Sequence, residues 1–207
     1  DKQTTRREEV GYREQTQSVF TSAEVGYKNA YYLTLTGRND WPSQLAGPNS
    51  KQSSFFYPSV GTSILLSEIF NLPESISYLK LRASWASVGL PFGRFLANPT
   101  FEWDFSTGAY KSQAAYPLYE LKPERTESWE VGLTARFLKY FNFDVSFYNT
   151  KTYNQTVDAQ LSPTGGYNKF YAQTGEVRNR GVELSLEFKN TWNKFTWNSN
   201  YTFSANK

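Results

Sequence analysis

Three carboxylates, Glu124, Glu127 and Glu130, recur at even spacing in the second half of the chain and are the first candidates for acid–base chemistry. Enzymes that cleave glycosidic bonds set two such groups across one bond. In an extended segment, however, side chains alternate between faces. Glu124 and Glu130 then share one side while Glu127 takes the other, and the spacing yields no acid–base pair. Asp40, Asp104 and Asp158 lack the spacing of a calcium loop, and Gly165-Gly166 reads as a turn, not as a nucleotide-binding glycine loop. The 207 residues contain no Cys, His or Met, which removes disulfides, thiol redox chemistry, Cys/His zinc sites and every His-based catalytic arrangement. No catalytic, metal-binding or cofactor-binding residue is therefore expected. The 22 basic and 19 acidic residues are interspersed, for a net charge of +3, so no nucleic-acid-binding patch is expected either.

What remains chemically distinctive is aromatic surface. The chain has 6 Trp, 15 Tyr and 16 Phe, or 18% of its residues, although its mean hydropathy is only -0.62. Disordered chains are poor in these residues, so general disorder is excluded. A dense group falls between residues 90 and 123, with Phe101, Trp103, Tyr110, Tyr116 and Tyr119 as candidate contacts for a substrate or partner; Tyr167 and Tyr171 pose the same choice further on. Such side chains offer area with a polar handle, suited to sugar stacking or to protein packing. The competing reading is that they pack the loops upon themselves.

The elements that must carry these loops alternate at β period. Leu79, Leu81, Ala83 and Trp85 oppose Lys80, Arg82 and Ser84; Val131, Leu133, Ala135 and Phe137 oppose Glu130, Thr134 and Arg136. The same holds for Phe141–Phe147, Val182–Phe188 and Phe195–Phe203, and for three earlier strands over about 16–28, 31–41 and 55–66. Eight strands result, nearly all long enough to cross an apolar band about 25 Å tall at a tilt. Short turns alternate with long connections over about 42–54, 90–123 and 158–175, so all long loops fall at one end. Ser67 is expected to cap a single helical turn in the Ser67–Ser75 connection. Trp41, Tyr57, Trp85, Trp129, Tyr140 and Phe141 sit where interfacial aromatic girdles belong. No window approaches 18 apolar residues, so a transmembrane helix is not expected. The pattern predicts an all-β chain forming an antiparallel transmembrane β-barrel wall; a soluble two-layer sandwich alternates as well and remains the competitor.

The sequence also resembles the barrel region of the SusC/RagA-type TonB-linked outer-membrane transporters of Bacteroidetes. Leu121-Lys-Pro-Glu-Arg-Thr-Glu-Ser-Trp-Glu-Val-Gly-Leu133 and Gly175-Glu-Val-Arg-Asn-Arg-Gly-Val-Glu-Leu184 carry the resemblance most strongly. Tyr31–Asp40, Phe56–Gly61, Ser67–Phe70 and Leu79–Ser84 support it in the family's order and spacing, from about Val19 onward. The resemblance implies a 22-stranded barrel with residues 1–207 as about eight of its strands, and a plug and TonB box outside this span. Both chain ends are accordingly expected to be cuts through a longer protein. It further implies outer-membrane location, contact with lipid, coupling to TonB-ExbB-ExbD, a SusD-like surface lipoprotein as partner, and an oligosaccharide, glycan or peptide as cargo. A binding or structural surface protein without active transport remains the alternative.

Lys80, Arg82, Glu130, Arg136, Glu183 and Glu187 all fall on the polar face and are expected to face the lumen, where they either hydrate and brace the wall or contact a plug or cargo. On a lipid face, Arg or Lys would cost roughly 2–4 kcal/mol at midplane, so their strict opposition to the apolar set supports the face assignment. Spin labels in the full-length protein are expected to be lipid-accessible at Leu81, Val131 and Leu184 and water-accessible at Arg82, Glu130 and Glu183; equal exposure of the two sets would defeat the assignment.

Overall fold

The computed structural model describes residues 11–97, 101, 103–111, 115–116, 119–162, 164 and 167–207. The Gly165-Gly166 pair lies outside them. The major strands are β1 (Thr16–Tyr27), β2 (Tyr31–Pro42), β3 (Phe55–Leu65), β4 (Ile76–Leu90), β7 (Glu124–Phe137), β8 (Phe141–Gln160), β9 (Lys169–Trp192) and β10 (Phe195–Asn206). They form one antiparallel sheet in the order β1-β2-β3-β4-β7-β8-β9-β10, each major strand beside the next in sequence. A separate small hairpin, β5 (Trp103–Asp104) and β6 (Ala109–Tyr110), lies within the connection from β4 to β7.

The register explains why alternation was so regular. Leu81, Leu133, Val145, Leu184 and Phe203 form one cross-strand row from β4 to β10. One residue further along, Arg82, Gly132, Ser146, Glu183 and Ser204 form a row on the opposite face. A one-residue slip anywhere would mix the two sets. The apolar face remains uncovered: Val131 is 40% exposed, Phe147 54% and Phe203 60%. No element of the described residues packs over it, whereas a sandwich requires a second sheet there. No helix among the described residues is long and apolar enough to cross a membrane, a criterion that leaves strands untouched.

The inner turns are tight for a local reason. Lys28 and Asn29 (φ 52° and 51°) and Leu138 and Lys139 (φ 52° and 63°) are left-handed pairs, the twist that two-residue hairpin turns require. Ala30 N–H closes the first on Tyr27 O at 3.1 Å. The expected capping by Ser67 is not seen. The single turn α1 (Leu66–Ile69) starts after an extended Leu65 with no side-chain cap, and Phe70 N–H closes it on Leu66 O. Ser67 lies inside the turn because the helix begins two residues earlier than a Ser67 cap would demand.

The connection expected over 158–175 is also shorter than the pattern suggested. β8 runs on to Gln160 and β9 starts at Lys169, so the pair extends far past the alternating segment. Its outer half follows a register shift between Thr152 and Gln155, where Asn154 adopts φ 59°. Beyond it Val157 and Ala159 pair with Ala172 and Phe170 on one face, and Thr156, Asp158 and Gln160 with Gln173, Tyr171 and Lys169 on the other, so alternation resumes only as a short run past the polar stretch Asn149–Gln155.

Among the described residues, buried hydrophobic side chains cluster only at the long-loop end, where Leu45, Phe55, Phe92, Ala97 and Leu121 pack together against Tyr57 and Leu96. Backbone bonds stitch the same cluster: Leu121 N–H donates to Asn49 O at 2.8 Å and Lys51 N–H to Leu121 O at 2.9 Å. The connections 43–54 and 91–123 thus share one small core. Leu121→Ala is expected to remove about 2–5 kcal/mol from it. Amide exchange at Lys51 and Leu121 in the full-length protein should accelerate about thirtyfold or more, with β7 and β8 amides unchanged; faster exchange throughout the wall would show that the loop core has no local autonomy.

Candidate functional site

On the polar face, Arg82 crosses a whole strand to reach its partner. It starts on β4, passes over Gly132 of β7 and binds Asp144 of β8 through Nη1 at 2.7 Å and Nη2 at 2.9 Å. Thr134 Oγ1 accepts from Nη1 at 3.0 Å and donates to Asp144 Oδ2 at 2.6 Å, while Glu130 lies 3.5 Å from Nε. Gly132 is needed for this path, since a Cβ there would stand 2.5 Å from Arg82 Cζ. Gly181 plays the same part under Tyr148, whose hydroxyl would lie 2.6 Å from an added Cβ. Two long polar side chains therefore lie flat along the wall.

The remaining polar-face candidates are spread out. Lys80 pairs across with Thr134, next in sequence on that face to Arg82. Arg136 lies 5.1 Å from the ring centre of Tyr78, a cation–π contact. Glu187 accepts from Asn142 Nδ2 at 2.9 Å. Glu183 and Glu130 line an open concavity of about 360 Å³ with Ser84, Ser146, Tyr148 and Thr150. Glu124, Glu127 and Glu130 all lie on β7, and Glu127 accepts a bond from Tyr153 Oη at 2.7 Å, a tether and not half of an acid–base pair. Among the described residues no three metal-ligating side chains converge.

The loop aromatics divide into two clusters. In the first, Trp103 meets Tyr110 edge-on at 5.0 Å across the β5–β6 hairpin, with Phe105 6.5 Å from Trp103 and Phe101 6.3 Å from Tyr110. Asp104 secures the tip by accepting from Ser106 Oγ at 2.6 Å and Ser106 N–H at 2.8 Å. Those bonds hold its carboxyl below the usual carboxylate range. In the second cluster Tyr116 packs on Tyr167 at 5.2 Å and on Phe170 at 6.2 Å, joining two connections. Tyr171 is half-buried on β9 opposite Asp158, and Tyr119 is 71% exposed. The rings contact one another and still present surface: Tyr110 is 67% exposed and Phe101 65%.

Two positioning residues escaped the sequence reading. Asp144 was visible on the polar face, but only its depth beside Arg82 two strands away marks it as the partner. Gln173 holds the long loop by imitating a strand, its Nε2 donating to Lys122 O at 2.6 Å and its Oε1 accepting from Lys122 N–H at 2.8 Å. Nothing in its sequence neighbourhood signals this role.

Residues 3–207 match the family described as TonB dependent receptor-like, beta-barrel. The chain belongs to the TonB-dependent receptor family. Its location is accordingly the outer membrane. Among curated relatives, TonB-dependent receptor P26 of Formosa agariphila is 30% identical over 202 residues, covering 92% of this chain and 20% of that protein. TonB-dependent receptor P39 of the same organism is 28% identical, covering 92% of this chain and 19% of its own length. The chain thus spans about a fifth of the length of these receptors. In fold it is similar to the RagAB peptide transporter, with a TM-score of 0.74 and 24% identity over 92% of this chain and 22% of that one. The siderophore receptor PirA from Pseudomonas aeruginosa superposes with a TM-score of 0.61 at 15% identity, covering 93% and 34% of the two chains. These matches agree with the SusC/RagA-type resemblance and with an all-β barrel wall.

The Arg82–Gly132–Asp144 arrangement acts as one unit. Gly132→Ala and Asp144→Ala are each expected to cost about 1 kcal/mol in the full-length protein, a figure kept low because both charged groups are partly exposed. Their combination should cost little more than the larger single change; additive shifts in the denaturation midpoint would show two independent effects.

Proposed function

We propose that this chain forms part of the wall and outer loops of a TonB-dependent importer that carries a bulky nutrient oligomer across the outer membrane. The observation that carries the reading is sidedness. Every long connection, the one buried loop core and both aromatic clusters lie at the same end of a wall with one polar and one apolar face. In this reading the apolar face meets lipid and the polar face, with Lys80, Arg82, Glu130, Arg136, Glu183 and Glu187, lines the lumen. Residues 1–207 all belong to the barrel domain, as about eight of 22 strands; the plug and TonB box lie elsewhere in the protein, and transport draws energy through TonB-ExbB-ExbD. The rim clusters built on Phe101, Trp103, Tyr110, Tyr116, Tyr119, Tyr167 and Tyr171 receive the cargo or a SusD-like surface lipoprotein.

Aromatic rings of this kind suit an oligosaccharide as well as a peptide. The RagAB transporter is a peptide transporter, and the present loops favour neither class. Cells carrying the full-length protein are expected to take up labelled members of one class, with uptake abolished by loss of TonB; uptake indifferent to TonB would exclude active import. Trp103→Ala with Tyr110→Ala should weaken binding of that cargo or of the lipoprotein on the order of tenfold, in keeping with loss of a central aromatic anchor, while heat-modifiable migration of the folded barrel is kept. Unchanged binding of both would assign the cluster to loop packing alone.

A further inference from the structure

The apolar face ends, toward the long loops, in a basic patch. Beyond Val182 and Phe147, the same-face positions on β8 and β9 are Asn149 opposite Arg180 and Lys151 opposite Arg178. Trp129 of β7 pairs with Asn149 and closes one side. Together Trp129, Phe147, Val182, Arg178, Arg180 and Lys207 line a shallow groove of about 550 Å³. Its floor is apolar and its rim is cationic. The acids beside it are Glu127, paired across with Lys151, and Glu176, 3.2 Å from Lys151 Nζ. Lys151, Arg178, Arg180 and Lys207 therefore face two carboxylates, and a positive excess remains.

The side chains are held in different ways. Arg178 is exposed but oriented, its Nε donating to the buried Asn149 Oδ1 at 2.7 Å and leaving its terminal nitrogens outward. Arg180 is exposed and its side chain has no hydrogen-bond or ion-pair acceptor among the described residues. An outward guanidinium row directly above an apolar floor matches an amphiphile: acyl chain below, phosphate above. The level is also right, because Trp85 and Trp129 pair directly across the adjacent strands and aromatics of this type sit at the membrane–water boundary.

We infer that this groove binds the phosphorylated headgroup of an outer-leaflet lipid, with Arg178 and Arg180 on the phosphate and Trp129, Phe147 and Val182 against an acyl chain. The inference rests on the apolar face meeting lipid. Its test is native mass spectrometry of the full-length protein in mild detergent, titrated with bis-phosphorylated lipid A, with the dephosphorylated lipid, and with inorganic phosphate. Retention of the phosphorylated lipid is expected, weakened about fivefold for each arginine removed in Arg178→Ala and Arg180→Ala. Arg178→Lys with Arg180→Lys should keep most of the retention, and Lys194→Ala at the opposite end should not alter it. Equal retention of the dephosphorylated lipid, displacement by millimolar inorganic phosphate, or indifference to both alanine changes in a folded barrel would overturn the site. Spin labels at Val131 and Leu184 separate the two claims: lipid-accessible labels with failed retention defeat the lipid site and leave the orientation of the wall standing.

Discussion

Backbone hydrogen bonding is the constraint from which the rest follows. A chain that crosses hydrocarbon must pair its N–H and C=O groups internally, and strands achieve this only through neighbours. The meander from β1 to β10 provides such a neighbour to every major strand except along the outer edges of β1 and β10. Once the ladder is fixed, the two faces are fixed as well, and each residue is assigned to one of two environments by parity alone. An ordinary hydrophobic core is unnecessary in such a wall. The described residues accordingly bury a hydrophobic cluster only at the long-loop end.

Ladder and membrane need not run parallel. Tilted strands carry the apolar band obliquely across the hydrogen-bonded rows. The row that holds Ala23, Leu35 and Val60 on β1 to β3 reaches Asn149 and Arg180 on β8 and β9. A single row is thus apolar at one side of the sheet and polar at the other without any break in pairing. The arginines above Val182 are therefore not intrusions into an apolar surface. They mark where that surface has already ended.

The wall was legible in the sequence because parity leaves a strong trace: Leu81, Val131 and Leu184 could be assigned to one face and Arg82, Glu130 and Glu183 to the other before any coordinates. The signal failed where its cause failed. Past the polar stretch Asn149–Gln155 the apolar run on β8 is only Val157 and Ala159, so Asp158–Gln160 and Lys169–Gly175 read as loop although they are strand. The β5–β6 hairpin was invisible for another reason, since two-residue strands are too short to show a period. In the polar set the individual charges were legible, but their pairing was not. Arg82 finds Asp144 by skipping a strand, and sequence alternation contains no information on which side chains lie flat.

With the polar face toward the lumen, as proposed, that flatness governs clearance. A side chain standing upright from a barrel wall narrows the bore by its own length, whereas one laid over a glycine adds little more than its thickness. Gly132 lets Arg82 satisfy its polar group against the wall instead of across the opening, and Gly181 leaves room for Tyr148 to lie beside it. Replacing either glycine with a larger residue would raise the lining at mid-depth even if every strand kept its register. The two missing Cβ atoms thus set the free width beside this arc of the wall as directly as any residue that projects from it.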